Sequence, residues 1–347
     1  MKYRPRHAFS ILLAIAAVCG TARAQEADAL RQELRDYPHR ILFERYVDKN
    51  WELFVMNADG SGVSDLTNTP AINELYPQAS PDGTRICFLA DVEQDGATLR
   101  SVYYMNADGS DRTLVAEKAR QPCWNPDGTR IAYVKQEFSR FQVKDFASKG
   151  LFFYDLKTGA STQHPNEAIE HLYTLNWPAG GRWIVSTVHA GMGFGHGIIA
   201  IETEGPGFYD LGIPGCRPCL SNDGTKITWS PGDKVINVAD IDLKLPVPKV
   251  SNVRTVASHE TLHLYHPDFS PDGRYVVFSR GPGGRSAARG PGTHTEVAEM
   301  VGVCGDWDLF LTRSDGSGPQ IQLTDAAKLS NKEPDWLPVG NIEGAAP

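Results

Sequence analysis

An all-β, six-bladed β-propeller with four-stranded blades is the fold this sequence predicts, and three observations predict it. A Pro-Asp-Gly turn motif returns along the chain. A second Asp-Gly turn recurs half a period after it. The last copy of the first motif lacks the strands that should follow, while the first strands lack the copy that should precede them.

The first motif is Ser80-Pro81-Asp82-Gly83-Thr84-Arg85-Ile86. It returns as Asn125-Pro126-Asp127-Gly128-Thr129-Arg130-Ile131, as Ser221-Asn222-Asp223-Gly224-Thr225-Lys226-Ile227 and as Ser270-Pro271-Asp272-Gly273-Arg274-Tyr275-Val276. A worn copy is Trp177-Pro178-Ala179-Gly180-Gly181-Arg182-Trp183. A sixth, missing its turn, is Glu333-Pro334-Asp335-Trp336-Leu337-Pro338. With prolines 81, 126, 178, 271 and 338 aligned, and Asn222 in the same slot, the spacings are 45, 52, 44, 49 and 67 residues. Periods in this range, with short strands between turns, are those of propeller blades. The motif is a turn because Asp tolerates a left-handed backbone and Gly takes positive φ without a steric cost. The proline ahead of them ends the preceding strand.

The second turn is Met56-Asn57-Ala58-Asp59-Gly60-Ser61-Gly62, repeated at Met105 to Ser110 and at Arg313 to Gly318. Two turns per period give four strands per blade. The runs Ile41-Leu42-Phe43, Leu53-Phe54-Val55 and Val63 to Thr67 have no inner strand before them, and Pro334-Asp335-Trp336 has no outer strands after it. Each half completes the other in a mixed N- and C-terminal closing blade, which removes an open sheet edge. The inner-strand residues Ala79, Trp124, Leu220, Phe269 and Trp336 are expected between blades, with Asn176 the odd one in the worn repeat.

The pair formed by the Ser-Pro-Asp-Gly motif and the Met-Asn-Ala-Asp-Gly-Ser motif, trailed by Leu66-Thr67 and Leu323-Thr324, resembles the WD40-like (PD40) repeats of TolB-like propellers. The resemblance covers residues 41–338 and implies the propeller fold. With about sixteen residues between leader and first strand, the α/β domain that precedes the propeller in that family is not expected here.

The first 24 residues read as a signal peptide. Lys2, Arg4 and Arg6 make a basic end, Ile11 to Val18 an apolar core, and Ala22-Arg23-Ala24 a small-residue cleavage site. Cys19 offers lipidation as the alternative to cleavage. Residues 25–40 read as a short helical lead-in and 339–347 as a tail. A periplasmic or secreted location is therefore expected, with no transmembrane segment. The net charge of −8 argues against nucleic acid as a partner. A monomer is expected. Of the five cysteines beyond Cys19, Cys216-Arg217-Pro218-Cys219 has redox or metal spacing, and a buried pair of small hydrophobes is the plainer reading. No second such pair completes a zinc site.

In a blade the Pro-Asp-Gly and Asn-Ala-Asp-Gly turns share one end, here the turn face, and the other connections make the opposite loop face. His164, His171, His189, His196, His259, His263, His266 and His294 all fall on connections assigned to the loop face. Residues entering the inner strands lie nearest the axis: Tyr76, Gln121, Tyr173, Arg217, His266 and Glu333. Glu74, His171 and His263 stand just outside them. These nine are the expected binding set at an axial mouth on the loop face. His171 and His263 are expected in one pocket, partly covered by the long Gly281–Asp306 excursion. Arg217 beside carboxylates suits an anionic group. The loop Gln136 to Lys149 is the second long one, and its Phe138, Phe141 and Phe146 are expected on the rim.

No Gly-x-Ser-x-Gly elbow or P-loop is present, and the His-Glu-x-x-His spacing occurs once, at His259-Glu260-Thr261-Leu262-His263, on a loop-face connection rather than on a helix. In some peptidases similar propellers precede a hydrolase domain, and that activity is not expected here. The reading is a non-enzymatic module that takes a protein or glycan at its mouth, with no cofactor called for firmly. The alternative is a metal-dependent lyase, because oligogalacturonate lyases look similar in fold and hold a divalent metal through axial histidines. In that case His171, His263 and His266 are the ligands.

Overall fold

The computed structural model describes residues 24–283, 300–325 and 329–339. Six four-stranded antiparallel sheets stand in a ring, which is the six-bladed propeller expected from the repeats. Blade 1 is closed as expected. The C-terminal strand Ser330–Leu337 is innermost and pairs with Arg40–Val47, followed by Asn50–Asn57 and Ser64–Asp65. Blades 2 to 6 follow in chain order, with inner strands Asn73–Ala79, Ala119–Trp124, Leu172–Asn176, Cys216–Leu220 and His263–Phe269.

The Pro-Asp-Gly turns behave as their chemistry dictates. The Gly83 N–H donates to the Ser80 carbonyl at 2.8 Å, and the Asp82 carboxylate accepts from the Ser80 hydroxyl and the Thr84 N–H. The Ser221 and Ser270 turns repeat this pattern. In the worn repeat the equivalent bond runs from the Gly181 N–H to the Pro178 carbonyl. Pro178 therefore occupies the slot of Ser80, and the alignment of its proline with Pro81 is one residue out. Trp177, not Asn176, is the partner of Trp124 and Trp336, and it is 6% exposed. That shift removes the apparent oddity of this repeat.

Every inner strand also carries a bulge. Register slips between Leu75 and Gln78, Arg120 and Cys123, Tyr173 and Asn176, Cys216 and Cys219, and Tyr265 and Asp268. In blade 1 it slips opposite Leu42–Glu44. At each bulge one residue has left-handed backbone: Tyr76, Gln121, Thr174, Arg217, His266 and Glu333, with φ between 48° and 57°. Five of the six are followed by proline, which has no N–H to offer the ladder and so fits where the ladder is interrupted.

A helix over 24–35 precedes the first strand. Its Leu30 and Leu34, with Tyr37, pack against Phe43, Phe54, Tyr275, Leu311 and Trp336, across the seam between blades 6 and 1. Glu33 bonds Arg313 at 2.5 Å and also meets Tyr275, so the helix is tied to the turn end of blade 6. The leader and the tail from 340 lie outside the described residues.

Candidate functional site

The six left-handed residues stand at equivalent inner-strand positions, one per blade. Tyr76, Thr174, Arg217, His266 and Glu333 line a waist of about 30 Å³, room for about one water molecule. Gln121, at the equivalent position of blade 3, is 1% exposed and accepts the Thr174 N–H on its Oε1 at 2.8 Å. Tyr173, expected in this tier, is not the axial residue of blade 4. The one-residue shift hands that place to Thr174, and the Tyr173 hydroxyl turns to His196 Nε2 at 3.0 Å.

The waist is held by a buried network of polar groups. Arg217 Nη1 reaches Glu333 Oε1 at 3.2 Å and Nη2 reaches Asp145 Oδ2 at 2.9 Å, with all three side chains buried. His266 Nε2 stands 3.0 Å from the same Glu333 oxygen. Burial pushes the Glu333 carboxyl up to about 8, although Arg217 pulls the other way. Burial pulls the Arg217 guanidinium down, but Glu333 and Asp145 outweigh it and hold the group above its ordinary value. Burial, with Glu333 adding, also sets the Tyr76 phenol well above its ordinary range. The anionic guest that Arg217 seemed to invite is supplied by the chain itself.

Asp145 comes from the loop between residues 136 and 148, which folds down over the loop-face end of the axis. Arg120 donates to the carbonyls of Lys144, at 2.6 Å, and Gln142. Phe141 lies under the guanidinium groups of Arg100 and Arg120. Phe146 packs 4.3 Å from the His189 ring, whereas Phe138 is exposed. Residues 300–304 add a second cover, with Val301 and Cys304 buried against Leu75 and Tyr76. Of the Gly281–Asp306 excursion, residues 284–299, His294 among them, lie outside the described residues.

The remaining expected residues scatter. Glu74 points away from the axis, held by Arg112 at 2.5 Å and by Thr69, and burial lifts its carboxyl to about 7. His171 bonds the Ala190 carbonyl at 2.7 Å and Glu137 Oε2 at 3.0 Å. His263 packs against Gly283 and the Tyr265 ring. His164 is not on the loop face; it is buried between blades 3 and 4, 2.5 Å from the Glu202 carbonyl. His171 thus stands apart with Glu137 and Ala190, while His263 and His266 flank the Tyr265 ring from two sides. Among the described residues, no three His, Cys, Asp or Glu side chains are gathered closely enough to hold a metal. None of the five described cysteines is joined to another, and the bulge at Arg217-Pro218 separates Cys216 from Cys219.

Space opens on the opposite side of the waist. A cavity of about 350 Å³ runs along the axis to the turn face, rimmed by Pro81, Pro126, Asn222 and Pro271. Its inner end is a second tier, one step below the waist: Gln78, Cys123, Asn176, Cys219, Asp268 and Asp335. These groups stitch neighbouring blades. Asp335 accepts the Ala79 N–H, Asp268 the Trp336 N–H at 3.1 Å, and Asn176 the Leu220 N–H at 3.1 Å. Cys219 Sγ lies 2.6 Å from Asp268 Oδ1, and the two carboxyls hydrogen-bond each other. The usable sequence signal was a second proline four residues before the turn proline, at 77, 122, 267 and 334, with Pro218 before Asn222. It marks the bulge and hence both tiers.

The molecule is a six-bladed propeller stopped at its loop face and hollow at its turn face. No family model matches the chain. It is 26% identical over 218 residues, 61% of its length, to the uncharacterized peptidase YuxL of Bacillus subtilis, of which it spans 30%. In structure it is similar to hydrazine synthase of Kuenenia stuttgartiensis, with a TM-score of 0.58 and 12% identity over 90% of this chain and 48% of that one. It is similar also to a chain of the nidogen/laminin complex, with a TM-score of 0.57 and 7% identity over 86% and 98% of the two chains. At these identities the structural likeness is one of fold. Among the described residues no helix is long and apolar enough to cross a membrane.

Proposed function

We propose that the protein is an exported, non-enzymatic binding module that receives its partner, a protein or glycan, at the turn-face end of its axis. The observation that supports this most is the axial cavity of about 350 Å³, within the size range of ligand sites and walled by Trp124, Trp177, Phe269 and Trp336. The loop-face set centred on Arg217 and Glu333 is consumed by the chain's own Asp145 and His266 and acts as the inner stop of the channel. No catalytic residue is carried over from the peptidase relative, of which the chain spans less than a third.

The test is capture from an envelope extract, and from a glycan array, with three versions of the protein. The wild type and a His171→Ala/His263→Ala variant at the loop face should retain the same binder. An Asn222→Trp variant at the exposed rim of the cavity should lose it. Loss in the histidine variant with retention in Asn222→Trp would place the mouth at the loop face instead.

A further inference from the structure

Among the described residues, every formally charged side chain on the wall of the turn-face cavity is an aspartate. Asp223 stands at the rim, and Asp268 and Asp335 lie at the inner end; among the described residues no lysine, arginine or histidine lines this wall. Between rim and floor the wall is aromatic, from Trp124, Trp177, Phe269 and Trp336. Aromatic faces attract cations through their quadrupoles, and a carboxylate within reach supplies the opposite charge.

The three wall indoles differ in a way that bears on a guest. Trp124 Nε1 donates to the Gln78 carbonyl at 3.0 Å and Trp177 Nε1 to the Gly181 carbonyl at 2.9 Å. Trp336, 4% exposed, has no acceptor for its Nε1 among the described residues.

We infer that this cavity is a site for an organic cation, an ammonium or guanidinium on a slender aliphatic stem, seated between the aromatic wall and the Asp268–Asp335 floor. The inference rests on the turn-face reading above and narrows its partner to a cation-bearing one. The stem threads past Pro81, Pro126 and Pro271, and the head lies against the two carboxyls. The same chemistry is offered by a free polyamine-like molecule or by a Lys or Arg side chain of a partner protein.

The experiment follows the indole N–H signals of Trp124, Trp177 and Trp336 by NMR while the intact protein is titrated. The probes are agmatine, an acetyl-Gly-Arg-Gly amide, and the same peptide with citrulline in place of arginine. The arginine peptide is expected to shift the three indoles and the citrulline peptide to bind about tenfold more weakly or worse. Agmatine equal to the arginine peptide assigns a free cation; a tighter peptide assigns a partner's side chain. Asp268→Asn should weaken the arginine peptide by about tenfold. The rim variant Asp223→Asn, which leaves the buried floor intact, should weaken it less. Equal binding of arginine and citrulline peptides overturns the cation assignment and leaves the cavity as a binding site for neutral guests. If neither cation moves any indole, the cation assignment falls, and the capture experiment decides separately whether the cavity binds a partner.

Discussion

The carboxylate of Asp335 accepts the main-chain N–H of Ala79 at 2.6 Å, joining residues 256 positions apart. Asp335 belongs to the C-terminal strand of blade 1 and Ala79 to the inner strand of blade 2, so this bond belongs to the closure of the ring. Asp335→Ala leaves a part-buried N–H without its acceptor and is expected to cost about 1–3 kcal/mol. Asp335→Asn keeps an acceptor in place and should cost less. Urea unfolding of both variants is the measurement, and equal losses would mean that the bond is not what the carboxylate contributes.

Removing the whole closing strand is the stronger form of the same argument. Without residues 330–347 the strand Arg40–Val47 exposes a bare edge, and Trp336 leaves the cluster it shares with Tyr37 and Tyr275. The truncated chain is expected to aggregate or to unfold well below the intact protein in a thermal melt. Unchanged melting would refute the closure.

The worn repeat offers a test of register. Trp177 packs 5.1 Å from the Phe153 ring between blades 3 and 4 and is buried, whereas Asn176 faces the channel and accepts the Leu220 N–H. Trp177→Ala should cost about 3–5 kcal/mol, as a large buried aromatic does, and Trp124→Ala should cost a similar amount on that scale. Asn176→Ala should cost about 1–3 kcal/mol through the lost acceptor. Chemical denaturation of the three variants separates the two registers.

The fold was legible because each blade repeats its turn chemistry, and the Asp-Gly pairs fix two hairpins per period whatever surrounds them. The closing blade was legible because the first and last motifs are halves of one unit. Legibility failed where one residue decides the outcome. Nothing in Trp177-Pro178-Ala179-Gly180-Gly181 alone says that Pro178 takes the serine slot, and that one step moved Tyr173 off the axis and Trp177 into the core. At the candidate mouth the missing signal was of another kind. Loop length and histidine content say where chain is plentiful, but not that Asp145 would fold inward and satisfy Arg217. An ion pair between residues 72 positions apart has no local signature.

The loop that carries Asp145 is also latched at its start, where Glu137 meets His171 Nε2 at 3.0 Å. Burial alone would lower the His171 imidazole, but the bonds to Glu137 and the Ala190 carbonyl outweigh it and raise its pKa. Protonated His171 therefore favours the latched loop. The latch is complete below the ordinary imidazole value and is lost as pH rises through the raised one. Hydrogen exchange of residues 137–147 should accelerate across that window, and Glu137→Gln should flatten the dependence. Exchange that slows with rising pH, once corrected for its intrinsic rate, would reverse the assignment.

Glu333 carries a pH dependence of its own, and the direction follows from its burial. Its folded-state carboxyl titrates at about 8, against an ordinary value of 4.5 in the unfolded chain. The folded protein thus holds a proton that the unfolded chain has already released, and the stability this confers is fully present below the unfolded value. It is lost as pH rises from there through about 8. Arg217 and His266 face this carboxyl from blades 5 and 6, and Glu44, Lys332 and Asp145 lie close enough to shift it. Glu333→Gln keeps the shape and an acceptor for Arg217 but cannot titrate. Its denaturation free energy should vary less between pH 5 and pH 8 than that of the wild type. A wild-type stability that rises over this interval, with the same rise in Glu333→Gln, would show that other groups govern the axis.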